Sequence, residues 1–169
     1  VESYQEAFRK ELATTDEGVQ VSLAEIDHDG KAMTRETRDR IIGAMMLIPT
    51  GVQSKSQDIG GLVESSNNMG LVSTHEDRVT NENAIGSSVK PLKEYIAAQI
   101  GSMADGLGLQ WETSGDYPAW EYRKDSYIRD VFIQAHKEIT GKDPKVEAIH
   151  AGLECGLFDE VMEDVDMIS

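Results

Sequence analysis

Side chains able to do chemistry gather in two stretches of this chain. Ser65-Ser66-Asn67-Asn68-Met69-Gly70 sets hydroxyls and amides inside a run otherwise built for packing, and buried polar groups of that kind must find partners. One reading is an edge strand or an exposed strand face. The other is that an Asn amide donates to a substrate carbonyl or to an oxyanion, as polarising groups do in acyl transfer. The second stretch, Ile149-His150-Ala151-Gly152-Leu153-Glu154-Cys155-Gly156, joins a strand end, a small-residue turn and a helix start. In a parallel sheet ligands bind there, outside the carboxyl ends of strands and beside helix N-termini. Turn glycines alone account for Gly152 and Gly156 but not for His150 beside Glu154.

Other reactive residue types are scattered. His28 and His75 fall at expected turns, and His136 sits on a helix with no second ligand three or four residues away; all three read as solvated or locally hydrogen-bonded. There is no HExxH, no cysteine pair and no calcium-loop spacing beyond the four residues Asp27-His28-Asp29-Gly30, so no closed metal site is expected. The acidic run Asp159, Glu160, Glu163, Asp164 and Asp166 reads as a solvated face. Tyr117, Trp120, Tyr122 and Tyr127 either line a pocket or seal a domain junction.

The elements that must position these residues follow from periodicity. Tyr4, Phe8 and Leu12 share one face of a first helix, and alternation at Val19, Val21 and Leu23 predicts a half-buried strand over 18–26. Thr34 caps a second helix carrying Ile41, Ile42, Met45 and Ile48, which Pro49 and Gly51 end. Strands over Leu62–Thr74 and Val79–Ser87 turn at Glu76-Asp77. A third helix runs through Leu92, Ile96, Ile100, Met103 and Leu107, and Leu109, Trp111 and Thr113 alternate as a last strand. The order strand, helix, strand, strand, helix, strand from 18 to 114 predicts an α+β fold of the ferredoxin-like, βαββαβ kind, with both helices on one face of an antiparallel sheet. Beyond it, a helix capped by Asp125 or Ser126 and ended by Gly141 and Pro144, a strand over 146–150, a short helix over 153–158 and a strand over 165–168 suggest an α/β layer. The boundary falls near 114–120, giving domains of 1–115 and 120–169.

The 169 residues carry 16 Lys+Arg against 31 Asp+Glu, a net charge of −15, which argues against nucleic acid and anionic membrane as partners. No apolar run approaches the roughly 20 residues of a membrane span, and no basic stretch leads into an apolar one at the N-terminus. A soluble protein is expected, and the single cysteine, Cys155, suits a reducing, cytoplasmic setting.

The run Val146-Glu147-Ala148-Ile149-His150-Ala151-Gly152-Leu153-Glu154-Cys155-Gly156-Leu157-Phe158, with Asp166-Met167-Ile168-Ser169 after it, closely resembles aminoacyl-histidine dipeptidases. Pro49-Thr50-Gly51-Val52-Gln53-Ser54, Leu62 to Gly70, and Ser114-Gly115-Asp116-Tyr117-Pro118-Ala119-Trp120 support it collinearly. The resemblance implies a zinc-dependent enzyme cleaving Xaa-His dipeptides such as carnosine, in which a two-metal catalytic domain is interrupted by a ferredoxin-like lid that also dimerises. On that reading 1–115 is most of the lid and 120–169 the return into the catalytic domain. The chain would be a piece of a longer homodimeric protein, inactive alone. The family's metal ligands and general base lie outside these residues, so zinc belongs to the parent enzyme and no metal is expected here. By the same resemblance Asn68 contacts substrate from the lid, and His150 with Gly152 matches a turn lining the pocket. Glu154 stands beside them as a further substrate-binding candidate without an assigned role. Where relatives carry an arginine in a Val-Arg-Ser run, this chain has Ile85-Gly86-Ser87. Glycine cannot clamp a substrate carboxylate as a guanidinium does, so the clamp comes from elsewhere or the substrate is handled differently. The alternative from another class is a stand-alone ferredoxin-like module that binds a ligand or dimerises without catalysis.

Overall fold

The computed structural model describes residues 1–27, 30–150 and 153–169, which divide into two compact units, Val1–Thr34 and Arg35–Ser169. In the first unit, helix α1 spans Glu2–Glu11 with Glu2 in its first turn and Arg9 and Lys10 in its last, charges that complement the helix dipole. The strand expected over 18–26 does not form. Instead the Gln5 side chain serves that backbone: Nε2 donates to the Val19 carbonyl at 2.8 Å, and Oε1 accepts from the Val21 amide at 2.6 Å. An extended segment without a neighbouring strand must find such partners, and a glutamine one helix turn from the start of α1 supplies them.

The second unit contains α2 (Arg35–Leu47), β1 (Gly51–Lys55), β2 (Val63–Thr74), β3 (Val79–Ser87), α3 (Lys90–Gly106), α4 (Tyr127–Thr140) and α5 (Glu154–Val161). The strands form one antiparallel sheet in the order β1-β2-β3. Sequence periodicity anticipated α2, β2, β3 and α3 but not β1, whose five residues carry no alternating apolar pattern. It follows that β2 is the central strand, not an edge. The strand expected over 109–114 is also absent, because this segment folds back on α3. The Leu109 amide donates to the Ala104 carbonyl at 2.8 Å, Trp111 Nε1 donates to Asp105 Oδ1 at 3.1 Å, and the indole lies so close over Gly101 that a Cβ there would meet it at 2.6 Å.

Helix α3 packs across β3 and β2, and α2 packs against α3, with Gly43 facing Leu107. Ile96, Ala104, Ala44 and Ile48 are buried in this layer. The buried sheet positions are polar: Ser65, Asn67 and Ser87. All three share one face, since Ser65 is paired with Ser87 and Asn67 lies two residues along β2 from Ser65.

The remainder is helical and extended. Helix α4 begins at Ser126, whose Oγ accepts from the Arg129 amide at 3.1 Å, and ends at Gly141 in the left-handed region with φ 70°. Among the described residues, neither 146–150 nor 165–168 pairs as a strand. The second is held by its side chains instead. Asp166 Oδ2 accepts from the Ile128 amide at 2.9 Å, at the start of α4, and Asp164 pairs with Arg123 at 2.7 Å. Asp164 and Asp166, read from sequence as part of a solvated face, thus anchor the end of the chain. Helix α5 is seated by close approach: a Cβ on Gly156 would lie 2.9 Å from the Pro118 carbonyl oxygen.

Two outcomes follow. Gly156→Ala forces a methyl against a backbone oxygen, and such overpacking costs typically about 1–3 kcal/mol; thermal unfolding is expected to show that loss, and an unchanged Tm would mean that α5 is not seated on Pro118. The Ile128 amide, then the Ser126 hydroxyl, then Arg123 hold the Asp166 carboxyl below the usual carboxylate range. A depressed folded-state pKa stabilises above the unfolded value, and the contribution is lost as pH falls through the folded value. Asp166→Asn is therefore expected to lower Tm at neutral pH and to converge with the wild type in acid, as melting curves across that range would record.

Candidate functional site

Strand alternation divides the polar stretch on β2 between two faces. Asn67 points into the layer: 1% exposed, its Nδ2 donates to the Pro49 carbonyl at 2.7 Å and to Asn83 Oδ1 at 3.2 Å. Asn83 Nδ2 in turn donates to Asn81 Oδ1 at 2.8 Å. The Asn67 Oδ1 atom is buried without a partner among the described residues. Ser66 and Asn68 lie on the opposite face, paired with Gly86 and Ala84 of β3. Asn68 is exposed there, as is Ala84.

His150 meets this second face. Its Nε2 is 3.1 Å from Ser66 Oγ, and a Cβ built on Gly86 would lie 3.5 Å from His150 Cδ2, 3.7 Å from the His150 carbonyl oxygen and 3.7 Å from Ser66 Oγ. The chain thus joins a sheet position to a turn 84 residues away, and the two stretches singled out by residue type converge at Ser66, Gly86 and His150. Asn68 lies two residues along the same face. Neither Ser66 nor Gly86 was picked out as a contact by residue type. The available signal was parity: Ser66 shares its strand face with Asn68, and an antiparallel pair carries that face across to β3.

The other candidates separate from this cluster. Glu154 is exposed and opens α5, where a carboxylate complements the positive end of the helix dipole, a structural role that its residue type already satisfies. Gly152 lies outside the described residues, as does His28. His136 stacks on Phe132 and places Nδ1 3.0 Å from the Lys142 carbonyl and 3.2 Å from Thr140 Oγ1, while His75 Nε2 is 3.3 Å from Thr80 Oγ1. Both have the local hydrogen bonds expected of them. Among the described residues no three His, Cys, Asp or Glu side chains converge as metal ligands, and no helix is long and apolar enough to cross a membrane.

A cavity of about 650 Å³ is lined by residues that include Ser88, Trp120, Tyr122, Arg129, Ile149 and Ile168. The aromatic cluster is split by it. Trp120 and Tyr122 line the cavity, Tyr122 under the Arg129 guanidinium at 5.1 Å, while Tyr117 and Tyr127 are not in its lining. The cavity follows 146–149 and 165–169, the segments that run without strand partners. It has the character of a layer interior more than of a polar recognition site.

The Ser66 to His150 contact gives a direct test of convergence. Ser66→Ala is expected to cost about 1 kcal/mol, the usual net worth of one such hydrogen bond. In a double-mutant cycle with His150→Phe the two losses should be non-additive. Strict additivity in denaturant unfolding would mean that the turn does not dock on the sheet.

No family model matches the chain. The cytosol non-specific dipeptidase of Escherichia coli (strain K12) is 31% identical over 169 residues, 100% of this chain and 35% of that protein. Among solved structures, the aminoacylhistidine dipeptidase from Vibrio alginolyticus matches with a TM-score of 0.85 and 33% identity, over 94% of this chain and 32% of that one. The chain thus spans about a third of the length of the relatives it matches. The resemblance carried by the 146–158 block therefore extends along the chain as a whole, which is similar in sequence and in fold to about one third of a dipeptidase of the aminoacylhistidine kind.

Proposed function

We propose that this chain is the lid and return segment of a zinc-dependent dipeptidase that hydrolyses Xaa-His dipeptides of the carnosine type, with residues 1–115 forming most of a ferredoxin-like lid and 120–169 re-entering the catalytic domain. The observation that carries the reading is the contact of His150 with Ser66 and Gly86 on the sheet. It unites the two parts of the chain that residue type marked for substrate contact, on a fold matched by a solved aminoacylhistidine dipeptidase at 33% identity.

In this reading the chain binds and orients. The Asn68 amide, exposed on its strand face, can donate to a substrate carbonyl, and His150 is held through Nε2 by Ser66. Gly152 is retained from the resemblance as a substrate contact, and Glu154 stands at the start of α5. The donor set among the described residues does not suit zinc: His75, His136 and His150 are each engaged with a hydroxyl or carbonyl, and no described carboxylates gather with them as a ligand set. Zinc, which would polarise the scissile carbonyl and activate water, is assigned to the rest of the enzyme, and none of the steps given to these residues passes through it. A homodimer and a cytoplasmic location complete the proposal, the location supported by the relative named a cytosol dipeptidase.

The reading is tested by assaying carnosine hydrolysis and bound zinc on the 169-residue chain and on the full-length protein side by side. Turnover and stoichiometric zinc are expected in the full-length protein alone. Tight zinc with turnover in the short chain would place a complete reaction centre within it and overturn the assignment.

A further inference from the structure

Within this chain the backbone passes from α3 to α4 once, along a connector over 109–126 that contains neither helix nor strand. Its first part lies on α3 through Leu109 and Trp111. From there to Tyr117 every residue is exposed. Gly115, in the middle, sits at φ 62° with no atom within 4 Å of where a Cβ would lie, a left-handed position that no neighbour confines. Neither α4 nor α5 packs broadly on the sheet or on α3. The orientation of 120–169 on the rest of the second unit therefore depends on a few discrete ties among the described residues, and the connector has a pivot before them.

Lys93 holds the connector immediately beyond that pivot. Its side chain is 16% exposed, so the apolar stem is largely covered, as long cationic side chains allow. The ammonium donates to Asp116 Oδ1 at 2.6 Å and to the Tyr117 carbonyl. These two ties differ in kind. An ion pair to an exposed carboxylate fixes a side chain and is weak, whereas a bond to a carbonyl fixes the main chain itself. One residue further, the Pro118 carbonyl abuts Gly156 of α5. Three consecutive residues, 116–118, are thus fixed to α3 on one side and to α5 on the other, and Lys93 is the α3 half of that junction.

We propose that Lys93 is a positioning residue of the enzyme: by clamping the connector beyond Gly115 it fixes 120–169 relative to the sheet, so that the substrate contacts of the two parts are presented together. The inference rests on the dipeptidase reading and deepens it, and Lys93 itself touches no substrate. Without the clamp the two parts sample several orientations, of which only a fraction is competent to bind, and the apparent affinity falls by that fraction. Once bound, the substrate itself holds the two parts, and the complex reacts as before. KM rises while kcat is kept.

Two measurements on the full-length protein test this. Nitroxide labels at Gln99→Cys of α3 and Gln134→Cys of α4, both exposed positions, in a background with the other cysteines replaced, are expected to give one narrow distance distribution with Lys93 present and one at least twice as wide in Lys93→Met. In carnosine hydrolysis Lys93→Met is expected to raise KM at least fivefold with kcat within twofold of the wild type, whereas Lys93→Arg, which can donate to both acceptors, should keep KM within twofold. A distance distribution that Lys93→Met leaves unchanged overturns the proposal, as does a loss that falls on kcat, or a Lys93→Arg enzyme as impaired as Lys93→Met. If Lys93→Met does not fold, Lys93→Gln, polar but too short to reach both acceptors, is held to the same criteria; misfolding of both beside a folded Lys93→Arg assigns Lys93 to stability alone and overturns the proposal. A wild-type protein that hydrolyses no dipeptide sinks the dipeptidase reading and the binding role with it, whereas the label distances judge the clamp by themselves.

Discussion

The register of β2 is the constraint on which the rest of this structure depends, and Asn67 fixes it. A strand alternates faces with a period of two, so a slip of one residue would exchange every inward and outward side chain. In most sheets an apolar face sets the register, but the inward positions here are Ser65, Asn67 and Ser87. Specificity comes instead from amide geometry: Asn67 donates to the Pro49 carbonyl that follows α2 and to Asn83 on β3. A slipped strand would strand a buried carbonyl and an amide oxygen without donors, each costing roughly 1–3 kcal/mol. Ser87 adds a second lock by donating to the Glu64 carbonyl at 2.8 Å. Only in this register do Ser66, Asn68 and Gly86 share the open face that His150 meets.

How much of this was legible in the sequence depended on whether a signal was local. Helices α1 to α4 carry apolar residues at three-and-four spacing, and the α4 caps, Ser126 and Gly141, were readable as residue types. Strands β2 and β3 were readable because a turn at Glu76-Asp77 separates two β-rich runs. Strand β1 was not, since Gly51 to Lys55 owes its conformation to pairing with β2 through an irregular register, a property of its partner. The opposite error arose at 109–114, where alternation was real but Trp111 packs on Gly101 of α3, so that a helix, not a sheet, takes up the apolar side chains. The convergence of His150 on Ser66 spans 84 residues and leaves no local trace. His150 was noticed for its turn, Asn68 for its residue type, and Gly86 only as a departure from a resemblance.

The second half of the chain shows what a layer looks like when its strands have no ladder. Residues 146–149 and 165–169 run beside a cavity of about 650 Å³, and α4 leaves Phe132 and Ile139 exposed at 53% and 84%. Isolated exposed apolar residues are ordinary, and of these two Phe132 lines that cavity. The chain spans about a third of the length of the dipeptidases it resembles.

What holds the turn at His150 against the sheet cannot be the Ser66 contact alone, because one hydrogen bond nets about 1 kcal/mol against the entropy of ordering a long connection. The docking is distributed. Lys93 of α3 reaches both Asp116 and the Tyr117 carbonyl, and its ammonium holds the Asp116 carboxyl below the usual range. The next residue along, Pro118, takes Gly156 of α5 against its carbonyl, and the Cys155 thiol beside Gly156 approaches the Ile168 carbonyl at 3.8 Å. Asp116 is largely exposed, so its ion pair contributes modestly; the tight backbone approach at Gly156 is the stiffer link. A path of contacts therefore runs from α3, already packed on β2 and β3, through 116–118 to α5, and α5 begins four residues after His150. The segment 116–118 is thereby tied both to α3, which covers the sheet, and to α5.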